Sequence, residues 1–197
     1  MNEKTSDSKP FQVAEYRRPH KNVLVISCID LRLTDNLLEF LEAENLHNRY
    51  DLFSIAGTSL CISATQEHKY INNFEEQAQH WRKTLLEHVK IAAQLHLIED
   101  VYIIEHEDCG AYKTYLDTGG NTGKPGEMQC HRSFAENLAS EIMKTDYFYA
   151  SSKKVTEKPS TLNEVKIDQL KLNVHAFFMN VTGKVFHIFS KQSAHIA

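Results

Sequence analysis

Two short stretches of this chain carry residue types that do chemistry. In VLVISCIDLR (23–32), Cys28 closes an apolar run, and Asp30 and Arg32 follow at alternate positions. In VYIIEHEDCG (101–110), His106 closes a second apolar run, and Cys109 lies one turn beyond it. Two thiolates and an imidazole suit zinc, a borderline-soft ion that accepts sulfur and nitrogen in a tetrahedron. Three protein ligands leave a fourth position open, which is the arrangement of a catalytic zinc site rather than a closed structural one. Each residue also has a plainer reading. A single cysteine is more often a small buried hydrophobe than a ligand, and Asp30 with Arg32 could be a surface ion pair of little energetic worth. The case for a metal rests on all of these features standing at matching strand ends.

The elements that would place them there are legible in the hydrophobic pattern. NVLVISC (22–28) is a continuous apolar run rich in β-branched residues, as in a strand covered on both faces of a parallel sheet. YDLFSIAG (50–57) and VYIIEH (101–106) read as two further strands. Thr34 and Asp35 can open a helix that buries Leu37, Leu38 and Leu41. From about Trp81 a helical pattern puts Leu85, Leu86, Val89, Ala92 and Ala93 on one face. A short helix is expected over 111–116 and a longer one over 128–146. Between them DTGGNTGKPGE holds four of the seven glycines and must be a loop. Residues 151–160 read as an exposed connection, and LNVHAFFMNVTGKVFHIF (172–189) as strand-like with a turn near Thr182-Gly183. Strand and helix alternating with long crossovers predict an α/β fold with a mostly parallel central sheet flanked by helices and a C-terminal strand or hairpin at its edge. Ligands of such sheets gather at the C-terminal ends of the strands, where Cys28 and His106 stand.

Bulk properties narrow the function classes. The chain has 197 residues, 42% hydrophobic and 24% charged, with a formal net charge of −4. No basic footprint for nucleic acid or an anionic membrane is present, and no apolar run approaches the ~20 residues of a membrane span. The start, MNEKTSDSKPFQ, has no apolar segment of the kind a secretory signal needs. The expectation is a cytoplasmic protein whose four cysteines, Cys28, Cys61, Cys109 and Cys130, are reduced. Residues 1–20 are polar and read as a tail or a partner-wrapping arm, and 21–197 as one domain.

The paired motifs resemble those of the β-class carbonic anhydrases: CIDLR is similar to that family's C-x-D-x-R, and HEDCG to its H-x-x-C-G. SIAG (54–57) resembles a worn form of the family's R-N-x-A/A-G strand end, and the helix before VYIIEHEDCG and the terminal NVHAFFMNVTGKVF also look like the family's. The resemblance covers about residues 20–190 and implies Cys28, His106 and Cys109 as zinc ligands, with Asp30 and Arg32 as a catalytic dyad beside the metal. It implies a lyase that reversibly hydrates carbon dioxide to bicarbonate by a hydroxide held on zinc. Asp30 would aim the oxygen lone pair at the substrate, and Arg32 would hold Asp30 ionised and in place. If Arg32 lets go, Asp30 can swing onto the zinc as a fourth ligand. The family builds its sites at a subunit interface, so a homodimer or a multiple of one is expected.

Two departures from the family pattern bear on substrate handling more than on zinc. Ser54 and Ile55 stand where the family usually has Arg and Asn, and the interval between Cys28 and His106 is wider than usual, with the extra residues placed in 61–80 as a lid, an altered pocket wall or an interface element. They keep open a zinc-binding relative with weak or no turnover and a regulatory or binding role. Hydrolysis of carbon disulfide or carbonyl sulfide also stays open, since both are apolar linear molecules. Cys61 and Cys130 are not expected to be ligands, with Cys130-His131 the weaker alternative pair. His88 and His96 read as solvated or packed. Tyr112 could line the site or belong to the core. The glycine loop lacks a preceding strand and is no phosphate loop.

Overall fold

A computed structural model describes residues 11–12, 22–62, 67–152 and 165–193. Five strands follow the apolar runs: β2 (Val23–Ser27), β3 (Tyr50–Ser54), β4 (Asp100–His106), β7 (Asn173–Met179) and β8 (Val185–Lys191); β1 (Phe11–Gln12) adds a two-residue edge. They form one six-stranded sheet in the order β1-β8-β7-β4-β2-β3. β4 runs parallel to both β2 and β7, β3 runs parallel to β2, and β8 returns antiparallel to β7. The expected α/β architecture with a mostly parallel core is the one observed. The terminal hairpin turns at Gly183, whose φ of 81° suits glycine, and the strand it adds is covered on its outer side by β1. Of the expected N-terminal arm, only Phe11–Gln12 falls within the described residues.

The described residues form four α-helices: α1 (Thr34–Ala43), α2 (Phe74–His96), α3 (Gly110–Tyr115) and α4 (Glu127–Lys144). Strand alternation divides the core in two. Val23, Val25, Tyr102 and Ile104 pack with Leu37, Phe40 and Leu41 of α1 on one face. Leu24, Ile26, Val101 and Ile103 pack with α2 and α4 on the other, against Leu85, Val89, Leu138 and Ile142. The handedness of the crossovers explains this division. From β2 the chain crosses by α1 to β3 on one side, then by α2 back past β2 to β4 on the other. Right-handed connections in opposite directions must lie on opposite faces. The reversal point falls between β2 and β4, where open α/β sheets present a crevice.

Three local expectations need correction. Leu38 is 40% exposed rather than buried; Phe40 takes its place, because the apolar stripe of α1 runs 37-40-41. α2 begins at Phe74, not near Trp81. Its first turns look polar, yet the Phe74 ring stacks on Tyr115 at 4.1 Å and meets Trp81 and Tyr70 edge-on, so tertiary aromatic packing supplies what the local pattern lacks. The reading of 151–160 as a connection is overturned at its start: β5 (Tyr147–Ser152) pairs antiparallel with β6 (Val165–Leu170) as a separate two-stranded ribbon against α2, and the rest lies outside the described residues. No described helix is long and apolar enough to cross a membrane.

Candidate metal centre

Parallel pairing brings four strand ends to one edge. Ser27 lies opposite Ser54 on β3 and Ile104 on β4, and His106 lies opposite Met179 on β7. Cys28 leaves β2 at this edge, and Cys109 caps the start of α3 just beyond β4. The two sulfurs are 4.0 Å apart, and the ligand atoms of Cys28, His106 and Cys109 all lie within 4.8 Å of one another. Among the described residues they are the only such group of three or more.

The donor set fits a zinc ion on an independent observation. His106 Nδ1–H donates to the Glu107 carbonyl at 2.8 Å, which leaves Nε2 as the ring's free nitrogen. That Nε2 is buried and has no hydrogen-bond partner. A buried polar atom without a partner is costly, and an imidazole fixed through its other nitrogen is how a metal-binding histidine is held. The Gly57 N–H points at the Cys28 sulfur at 3.3 Å. A hydrogen bond from the Cys109 thiol, aided by His106, brings the Cys28 thiol down to about 4 against the opposing effect of burial. The same hydrogen bond to Cys28, together with burial, pushes the Cys109 thiol up. Burial alone would lower His106, but the adjacent Cys28 sulfur raises it.

Beside this group stands the dyad. Arg32 Nε donates to Asp30 Oδ1 at 2.9 Å and Nη2 to Oδ2 at 2.6 Å, a two-pronged pair, and the Arg32 backbone N–H adds a third bond to Oδ1 at 3.0 Å. These bonds hold the Asp30 carboxyl down to about 2. Asp30, Cys28 and His106 share a cleft of about 60 Å³ whose apolar wall is Leu33, Leu37, Leu52 and Met179. Ser54, in the position of the missing arginine, lines the same cleft and sits 3.1 Å from the Ser27 hydroxyl. Ile55 packs into the α2–α4 side of the core instead.

The described part of 61–80 lies elsewhere. The Tyr70 hydroxyl donates to the Leu60 carbonyl at 2.5 Å, Asn72 donates to Thr114 at 2.7 Å, and Tyr70 bridges to Leu116, so the segment braces α3 from behind. Cys61 and Cys130 are buried but do not belong to the ligand group, and burial pushes their thiols up to about 12. His88 bonds its own helix at Thr84, His96 pairs with Asp51, and Tyr112 is fully buried in the core.

Motif reading overlooked the residues that fasten the site. Glu105 points to the opposite sheet face from His106, fully buried, and accepts from the Ser59 N–H at 3.2 Å, the Ser59 hydroxyl, and His131 Nδ1 at 2.7 Å. Thr58 donates to the Ile104 carbonyl at 3.1 Å. These bonds tie the turn that carries Gly57 to the strand that carries His106. His131 stacks on Tyr112 at 3.8 Å, so its role is to support Glu105. On the other side Glu127 accepts from the Asp108 N–H at 2.7 Å and the Gly123 N–H at 3.0 Å, so the glycine loop closes behind the ligand turn. The only local signal was a buried-strand glutamate directly before His106.

The chain is similar to several known proteins. An uncharacterized protein of Rickettsia bellii is 27% identical over 173 residues, 88% of this chain and 85% of its own. One of Rickettsia conorii is 27% identical over 126 residues, 64% of this chain and 61% of its own. Among solved structures, the β-carbonic anhydrase CafD of Aspergillus fumigatus aligns at a TM-score of 0.42 and 15% identity, covering 88% of this chain and 92% of that one. A carbonic anhydrase from Glaciozyma antarctica aligns at 0.40 and 17%, covering 87% and 86%. Residues 18–124 match the family model described as "Putative carbonic anhydrase", and with more than half its length in that match, the chain belongs to this carbonic anhydrase family.

Proposed function

We propose that this protein is a zinc-dependent carbonic anhydrase that hydrates carbon dioxide reversibly to bicarbonate. The observation that carries the reading is the Cys28–His106–Cys109 group with its unpartnered Nε2, set beside a carboxylate that a guanidinium already holds. Cys28, His106 and Cys109 would hold the ion. When bound, zinc supplies Lewis acidity that brings the pKa of a water from 15.7 towards ~7, less strongly where two thiolates neutralise its charge.

The chain's own groups do the rest. Asp30 takes two donors on Oδ1 and one on Oδ2, which leaves an Oδ2 lone pair free to accept from the attacking water and set its direction. Arg32 keeps Asp30 ionised and out of the ligand set. Leu33, Leu37, Leu52 and Met179 receive a small apolar molecule and offer no charge to compete for it. Ser27 and Ser54 provide hydroxyls where a bicarbonate product would need donors. The proton leaves to solvent or buffer through the open side of the cleft. We assign the protein to the cytoplasm, as a homodimer or a multiple of one, without nucleic-acid or membrane partners.

Stopped-flow carbon dioxide hydration by zinc-replete protein from about pH 6 to 9 tests the reading, since a zinc-activated water titrates in that range. Rates should rise from neutral towards alkaline pH. Zinc-loaded protein without turnover would make it the binding or regulatory relative. Turnover only of carbonyl sulfide or carbon disulfide would reassign the substrate within the same apolar cleft.

A further inference from the structure

The Asp30–Arg32 pair does not stand alone. Arg32 Nη1 donates to Asp108 Oδ2 at 2.8 Å, and Nη2 donates to the Asp108 backbone carbonyl at 3.0 Å. With Nε and Nη2 on Asp30, every nitrogen of the guanidinium is engaged, and its plane is held from two edges. This matters because the Arg32 side chain is 44% exposed. A single exposed ion pair contributes little, and a long side chain resists being held in one rotamer. Asp108 is itself built in. Its φ of 60° lies in the left-handed region, its N–H is bound by the buried Glu127 carboxylate, and its Oδ1 accepts from Lys113 on α3. It immediately precedes Cys109, so it joins the dyad to the turn that carries a ligand.

We propose that Asp108 is a positioning residue: it acts through Arg32 to keep the guanidinium turned towards Asp30, and so couples the dyad to the ligand turn. The proposal rests on the reading of Asp30 and Arg32 given above and extends it to a third group, steadied by Lys113 and Glu127. Because Asp108 also offers its backbone carbonyl, removing its carboxylate loosens Arg32 without freeing it completely.

The test uses zinc-loaded full-length protein carrying Asp108→Gly, which tolerates the left-handed backbone, and Asp108→Asn, which tolerates it and keeps an acceptor. Zinc should stay at about one per chain in both. In 15N spectra of the arginine side chains, the Arg32 Nε–H resonance should be protected from exchange in the wild type. It should lose that protection in Asp108→Gly and recover part of it in Asp108→Asn. In the same order kcat should fall about tenfold and less, with KM little changed, as for a group that orients a reacting atom. Arg32→Ala/Asp108→Gly should be no slower than Arg32→Ala, because a residue acting through Arg32 has nothing left to act on. Unaltered Arg32 protection in Asp108→Gly, or losses that multiply in the double variant, would overturn the proposal. The resonance reads the Arg32 contact whether or not the wild type turns over carbon dioxide, so failure of the proposed activity and failure of the positioning role are told apart.

Discussion

Single side chains set the metal and the dyad apart. Cys28→Ser or Cys109→Ser replaces a thiolate by a poor zinc ligand and should lose most of the about one zinc per chain expected of a three-ligand site, as read by elemental analysis. Full retention in both would remove them from the ligand set. Asp30→Asn or Arg32→Ala should keep zinc and lose at least about tenfold in turnover, because orientation of a proton-transfer partner contributes ~10²-fold or more. The pH profile separates the two groups further. Arg32 depresses the Asp30 carboxyl to about 2, so the charge is present above that value and lost only as pH falls through it. Without Arg32 the carboxyl returns towards the ordinary ~3.9, still ionised at pH 6. Arg32→Ala should therefore not act by neutralising Asp30: it should lower the rate across about pH 6 to 9 and move the acid limb upward, because the freed carboxylate can enter the ligand set. A limb that stays where the wild type has it would mean that Arg32 does not hold Asp30 off the metal.

The elements matter through two junctions. The turn after β3 aims a backbone N–H at Cys28, and only glycine fits it: Gly57 has φ 75°, and a Cβ there would stand 2.9 Å from the Leu60 Cβ and 3.1 Å from the Ala111 Cβ. Gly57→Ala should cost about 1 kcal/mol or more and weaken zinc binding, measured by chelator competition. Unchanged affinity would detach the turn from the metal centre. The second junction is Glu105, which joins β4 to the Ser59 turn and to α4. Glu105→Leu leaves the donors of Ser59 and His131 unsatisfied in the core and should destabilise by about 3 kcal/mol or more in urea unfolding. Glu105→Gln, which keeps an acceptor, should cost less. A loss under about 0.5 kcal/mol for Glu105→Leu would show the network to be idle.

For the molecule as a whole, the cleft lies at the sheet edge where the crossover direction reverses, and apolar side chains surround it in the open. Leu31 is 85% and Ile29 64% exposed, on either side of Asp30, and the half-exposed Leu52 lines the cleft from β3. Apolar residues gathered at one place suit a partner surface, and closed symmetry makes a second copy the simplest occupant. Sedimentation at micromolar concentration should show a dimer or a multiple of it, and Leu31→Asp should shift it towards monomer. A wild-type monomer would refute the assembly.

By itself the sequence determined five of the sheet's six strands and the candidate ligands at their ends. Short β-branched apolar runs read as strands, and Cys28, Asp30, Arg32, His106 and Cys109 are recognisable because their spacing is local. It also determined the terminal hairpin and the glycine loop, where turn residues act within a few positions. The tertiary structure decided what depends on distant partners. Phe74 starts α2 seven residues before the apolar periodicity shows, because the rings that bury it include Tyr115 from beyond β4. Leu38 faces out because the stripe of α1 that meets the sheet runs through Leu37, Phe40 and Leu41. Glu105 meets His131 and Ser59, and Arg32 meets Asp108 across a separation of 76 residues, only because parallel pairing of β2 with β4 lays those strand ends side by side. A local pattern reports which face of an element is buried; which groups then meet across the sheet edge is set by strand order and crossover direction, and no short-range spacing encodes it.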